Sequence, residues 1–217
     1  MRRAVAFASL LLSSTSGSAE VVNAPNVSTT IPSMMKQYGV SNLRMVMPGV
    51  LYRGGSTAGT ENTRAPLQSS SQQALCNDGF DAIVYGYSNN WHGGSGISIS
   101  CDKGQATYVS KRWDHPDEIH DAMNLLHKII VDKKGAMFVH CWYGVHASGT
   151  LAATALRQFC GLSGDQAVRY WESTVPSRSL WYPTVLNAIR SFKPDPALNI
   201  SQEDKERVCP TTAQLGF

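Results

Sequence analysis

The stretch Val139-His140-Cys141-Trp142-Tyr143-Gly144-Val145-His146-Ala147-Ser148-Gly149 joins two segments of opposite character. Before it, Ala136-Met137-Phe138-Val139 is a short apolar run, which predicts a buried strand. After it, Thr150-Leu151-Ala152-Ala153-Thr154-Ala155-Leu156-Arg157 predicts a helix. A cysteine therefore closes a strand, a short loop follows, and a helix begins. The N–H groups of such a loop and the positive end of the helix converge on one point and form an anion cradle. A cysteine held there is favoured as its thiolate, the nucleophilic form.

Working outward, Arg112-Trp113-Asp114-His115-Pro116-Asp117-Glu118-Ile119 leads into a predicted amphipathic helix over residues 118–131, with Ile119, Met123, Leu126 and Ile130 on its core face. Earlier, Asn42 to Gly55 reads as a hairpin: two apolar runs around the turn pair Pro48-Gly49. Residues 80–87 read as a central strand. Residues 97–101 and 106–110 read as two short strands about an Asp-Lys-Gly turn. The glycine-rich residues 88–96, which include His92, read either as a pocket rim or as a plain surface loop. Further helices are expected over residues 68–77, after Ser163 and over 183–192. Ser163 and Gln166 have the spacing of a capping box.

The cysteine loop resembles the active-site loop of the protein tyrosine and dual-specificity phosphatase superfamily, which runs His-Cys, five residues, Arg, then Ser or Thr and usually Gly. His140, Cys141, Gly144, Ser148 and Gly149 stand in register, while Ala147 stands where that family has its arginine. The hairpin is similar to the entry hairpin of the atypical dual-specificity phosphatases, with Tyr52-Arg53 matching its end and Arg53 there a structural residue. The resemblance covers about residues 40 to 175. It implies an α/β fold, a central and largely parallel sheet flanked by helices, with the cysteine loop between a strand and a helix. It further implies Cys141 as nucleophile, Asp114 as general acid (Asp117 as the alternate), and residues Trp142, Tyr143, Gly144, Val145, His146, Ala147 and Ser148 as an anion-binding loop that needs no cofactor.

Ala147 supplies neither a charge nor a donor. In the family, the arginine forks onto two phosphoryl oxygens. In other phosphoryl-transfer enzymes a supplied arginine is worth roughly 10³–10⁵ in rate. Phosphomonoester hydrolysis is therefore expected to be weak or lost. His146, Arg112 and Lys111 are the nearby candidates to stand in. Two alternatives stay open. Cys141 with His146 and His115 would make a thiolate–imidazole set suited to copper or zinc, with His140 and His92 as further candidates. A non-catalytic pseudophosphatase would keep the cradle as a binding module.

Residues 1–19 have the charged start (Arg2, Arg3), the apolar centre and the small-residue close of a secretory signal peptide, so the chain is expected to be exported to a periplasm or the exterior. Residues 20–40 read as an irregular lead-in, 41–192 as the phosphatase-like domain and 193–217 as a tail. The 217-residue chain carries 19 basic and 16 acidic residues; losing Arg2 and Arg3 leaves it near neutral. That gives no electrostatic case for nucleic acid, and a small anionic ligand is the expected partner. No later run is long and apolar enough to span a bilayer, so stable membrane insertion is not expected after signal removal. The five cysteines are an odd number, and the loop chemistry makes Cys141 the free one. An exported protein can keep disulfides; the sequence does not fix the connectivity of the other four cysteines, and Cys76 with Cys101 and Cys160 with Cys209 is the pairing hypothesised.

Overall fold

A computed structural model of the chain describes residues 31–56, 65–175 and 182–215. The expected signal peptide lies outside the described residues. The centre is a six-stranded sheet built from β1 (Ser41–Met47), β2 (Leu51–Gly55), β3 (Phe80–Tyr85), β4 (Ile97–Cys101), β5 (Gly104–Ser110) and β6 (Ala136–Cys141), in the order β1-β2-β6-β3-β5-β4. The inner strands β2, β6, β3 and β5 run parallel, and the two edge pairs β1–β2 and β4–β5 are antiparallel hairpins. The fold class is the expected α/β, with helices on both faces.

Strand periodicity divides the core. Along β6, Met137 and Val139 join a cluster with the helices α3 (Pro116–Asp132), α4 (Ala147–Cys160), α5 (Gly164–Thr174) and α6 (Pro183–Ser191). Ala136 and Phe138 face the other way, into a cluster that includes Tyr38 of α1 (Pro32–Tyr38) and Leu75 of α2 (Ser69–Asn77). Every residue of β6 is buried, as expected of a strand covered on both faces. The same alternation turns Arg53 of β2 towards the α4 side and His140 towards the α2 side. The capping box of α5 forms as its spacing predicts: Gln166 N–H donates to Ser163 Oγ at 3.2 Å, and Ser163 N–H donates to Gln166 Oε1 at 2.9 Å.

Two expectations are corrected at the ends of the chain. The lead-in is not irregular throughout, because α1 forms within it. Tyr38 is buried, and its hydroxyl donates to Asp78 at the end of α2 at 2.6 Å. The tail continues as a 3₁₀ turn at Pro196–Leu198, then α7 (Gln202–Val208) and α8 (Thr212–Leu215). Leu198, Ile200, Val208 and Leu215 complete the α3–α6 core. The disulfide Cys160–Cys209 ties this tail to the end of α4, and Cys76–Cys101 ties α2 to the edge strand β4. Both expected pairings are present, and Cys141 is the free cysteine. Among the described residues, no helix is long and apolar enough to cross a membrane.

Candidate active site

The parallel strands β2, β3 and β6 end together, so the loops that follow them meet at one edge of the sheet, where ligands bind in open α/β folds. Cys141 is the last residue of β6, as the sequence predicts, and α4 begins at Ala147, three residues before the helix expected from Thr150. Four supports hold the loop between them, one of them Asn42 of β1, whose Nδ2–H donates to Gly144 O at 2.8 Å. On one side, Ser56 N–H donates to Trp142 O at 3.2 Å, and Ser56 Oγ donates to Cys141 O at 3.0 Å. On the same side, Gly55 bridges Tyr143 in antiparallel fashion. From below, the fully buried Arg53 sends Nη1 to the carbonyls of Gly144 and Val145, both at 3.4 Å, with its guanidinium over the Tyr170 ring. Trp171 Nε1–H adds another donor, to Val145 O at 3.2 Å. With these carbonyls drawn down into the protein, the first-turn N–H groups of α4 remain for the mouth of the loop.

Glycine is required twice here. Gly144 has φ of +68°, and a Cβ on it would stand 2.6 Å from the main chain of both Gly54 and Gly55. A Cβ on Gly149 would strike Arg53 Nη1 at 2.6 Å and the Trp171 ring at 2.7 Å.

His140 is buried beneath the loop. Its ring stacks on Tyr85 and Phe138, with Tyr108 OH 2.8 Å from Nε2 and Ser56 Oγ 3.3 Å from Nδ1. The Tyr108 hydroxyl also accepts Leu67 N–H at 2.8 Å, which ties the histidine to the chain before α2. Burial pushes the His140 pKa down to about 3, against a smaller upward pull from the Cys141 main chain. It is a neutral hydrogen-bonded support, not a charged group or a ligand.

Cys141 is buried, with its Sγ 3.4 Å from Ser148 Oγ. Above it lies a cavity of ≈ 200 Å³ lined by Tyr87, Cys141, Trp142, Tyr143, His146 and Tyr182. Trp142 packs against Tyr87 with ring centroids 4.4 Å apart and planes tilted by 32°, and its Nε1–H donates to Tyr85 OH at 2.7 Å. His146 stacks on Tyr182 at 4.0 Å. Burial, then the neighbouring Cys141, pushes the Tyr87 pKa up, with Asp114 among the smaller causes. Sequence reasoning missed Tyr87 and Tyr182 as cavity walls and Tyr85 as the support behind Trp142. Tyr85 and Tyr87 flank Gly86 at the end of β3 and Tyr182 precedes α6, and nothing in their local pattern marks these roles.

The other expected site residues are placed as follows. Ala147 is fully buried at the start of α4 and does not line the cavity. Asp114 stands outside it, on the wall of a separate cleft shared with Trp113, His120 and Phe192. Both its oxygens are held by Arg112, at 3.2 Å and 2.9 Å. Asp117 also lines that cleft. Lys111 is engaged with Asp121, so of the three stand-ins for the arginine only His146 reaches the cavity. The expected copper or zinc set is not assembled. Cys141 and His146 share the cavity, but His115 pairs with Glu118 at the start of α3, and His92 is exposed in the loop after β3. Among the described residues no three His, Cys, Asp or Glu side chains converge as a metal site would require. The loop over residues 88–96 contributes nothing to the cavity lining. Its Trp91 packs edge-on against Tyr108 instead.

No protein-family model matches the chain, and no curated protein matches it in sequence. Solved structures similar to it include the following two. The crystal structure of P. aeruginosa TpbA has a TM-score of 0.48 at 14% identity, over 75% of this chain and 87% of that one. A crystal structure of a single-residue variant of human DUSP28 has a TM-score of 0.45 at 17% identity, over 69% of this chain and 92% of that one.

Proposed function

We propose that this is an exported, phosphatase-like protein whose Cys141 loop holds a small anion and turns over phosphomonoesters slowly or not at all. One observation carries the reading: among the described residues, no lysine or arginine lines the cavity over Cys141. What the cavity offers an anion is the N-terminal end of the fourteen-residue helix α4, with its unpaired N–H groups and partial positive charge. That end can hold an anion, and Ala147 at its start supplies no guanidinium to stabilise charge in the transition state.

Residual chemistry follows from the same atoms. The Cys141 sulfur attacks phosphorus, the bond to the leaving oxygen breaks, and that oxygen takes a proton. Water then cleaves the S–P bond, which frees the thiolate and releases inorganic phosphate. Ser148 Oγ is placed to hydrogen-bond the sulfur. Asp114 must leave Arg112 before it can give a proton to the leaving oxygen, a second brake on the reaction. The two disulfides agree with an oxidising compartment and so with export.

The test is calorimetric titration of the purified protein with inorganic phosphate and with vanadate, alongside hydrolysis of a generic aryl phosphate. The expected result is saturable anion binding that weakens in Cys141→Ser, with turnover barely above the uncatalysed rate. Efficient turnover, or no binding of either anion, overturns the proposal.

A further inference from the structure

Arg53 is fully buried, and an arginine keeps its proton inside a protein, so a whole positive charge is enclosed beneath the loop. A charge taken out of water is costly unless an opposite charge answers it. None of the ion pairs among the described residues includes Arg53. Nη1 reaches the carbonyls of Gly144 and Val145, while the buried Nε and Nη2 have no hydrogen-bond partner among the described residues. The neighbours bring no negative charge. The guanidinium lies over the Tyr170 ring, and burial pushes the Tyr170 pKa up, so that hydroxyl stays neutral. Arg44 stands opposite Arg53 across β1 and β2; burial, then Arg53 itself, pulls the Arg44 pKa down to about 10.

The charge is also well placed. Arg53 pairs with Val139 in the parallel register of β2 and β6, and Val139 shares its face of β6 with Cys141. A Cβ on Gly149 would stand 2.6 Å from Arg53 Nη1, so the guanidinium lies behind the first turn of α4. The residue before Gly149 is Ser148, whose Oγ is 3.4 Å from Cys141 Sγ. The N-terminal end of α4 is itself partly positive. Two positive features thus lie together, and neither offsets the other. Negative charge in the mouth of the loop answers both.

We infer that Arg53 is a positioning residue that charges the loop: from behind α4, its guanidinium supplies without contact the positive charge that an arginine at 147 would have carried into the cavity. The inference rests on the anion-holding reading above and adds the source of the attraction. Arg53 is not among the residues that line the cavity. It therefore strengthens holding and gives no donor to the oxygens of a transition state, which agrees with binding and little turnover.

The test is calorimetric titration with sulfate, a dianion throughout the working range, with urea midpoints read alongside. Arg53→Gln keeps a donor for the loop carbonyls and loses the charge. It should bind sulfate about tenfold more weakly than the native protein, the order for one unit charge acting through protein. Arg53→Lys, at about pH 6 where the ammonium is favoured as charged, should stay within about threefold of the native affinity. Equal losses in the two folded variants show a pin for the loop with no role for its charge, and overturn the inference. So does an undiminished affinity in Arg53→Gln. A second pair leaves Arg53 in place: Arg44→Glu gives it a counter-ion and should bind sulfate more weakly than Arg44→Gln. Equal binding by that pair also overturns the inference while the anion-holding site stands. Failure of both sulfate and inorganic phosphate to bind the native protein overturns the two together.

Discussion

The side chain of Ala147 lies against the main chain of Gly86: a Cβ built on Gly86 would stand 3.0 Å from that of Ala147. Gly86 is itself bound to the cysteine strand, its N–H donating to His140 O at 2.8 Å. The position that lacks the arginine is thus closed by the chain after β3, with no empty slot beside it. Ala147→Arg should therefore destabilise the protein by about 1–3 kcal/mol through overpacking. It should also raise aryl phosphate hydrolysis by at least about tenfold, short of the 10³–10⁵ that a well-seated arginine gives. Ala147→Leu is the control, with a similar loss in urea denaturation and no gain in rate. A folded arginine variant without activity would mean that the cavity lacks more than a guanidinium.

Gly144 is the most constrained residue of the loop, because its left-handed backbone and the 2.6 Å approach to Gly54 and Gly55 act together. Gly144→Ala should cost about 2–5 kcal/mol. It should also weaken anion binding, since the loop can make room only by moving off β2. Chemical denaturation and phosphate titration of the variant check both effects. A near-neutral change in both would mean that the loop is not pinned to β2.

The fold was readable wherever a local pattern also decides the tertiary contact. The apolar run 136–139, the helix formers after Gly149 and the Ser163–Gln166 spacing are patterns of this kind. The odd cysteine count, combined with the need for a free Cys141, singled out the unpaired thiol, while the pairing of the other four was a hypothesis that the assembled fold bears out. The helix α1 was not readable, because seven residues with a proline near the start do not sustain a helix in isolation; it forms against Asp78, forty residues on. The cavity walls were hidden for the same reason, since Tyr87 and Tyr182 meet Trp142 and His146 only once the sheet edge is assembled. The absence of an arginine at 147 was plain from the sequence. The packing of Gly86 against that position, and the capture of Asp114 by Arg112, were not.

His140 sets a pH dependence whose sign is fixed. Its pKa falls from 6.5 in the unfolded chain to about 3 in the fold, chiefly through burial. Between those values the unfolded chain binds a proton that the folded one refuses, so stability rises with pH. The contribution is complete above about pH 6.5 and is lost progressively as the pH falls towards 3. Urea midpoints at roughly pH 7.5 and pH 4.5 should therefore differ more for the native sequence than for His140→Gln, in which this group no longer titrates. Equal differences would assign the acid sensitivity to other groups.

Thiol chemistry tests the cysteine arrangement directly. Denatured without reductant, the protein should take up one equivalent of iodoacetamide per chain, on the peptide that carries Cys141, and five after reduction. A second labelled cysteine before reduction would contradict the pairing. In the native state labelling should be slow, because Cys141 is 2% exposed, and inorganic phosphate should slow it further by occupying the mouth of the loop. The Cys160–Cys209 bridge spans 49 residues, and closing a loop of that length removes about 4 kcal/mol of unfolded-state entropy in the chain-entropy account. The double variant Cys160→Ser/Cys209→Ser should lose stability of that order in chemical denaturation. The same loss should appear as early amide exchange in α7, since Val208 packs in the α3–α6 core and the bridge holds α7 to the end of α4.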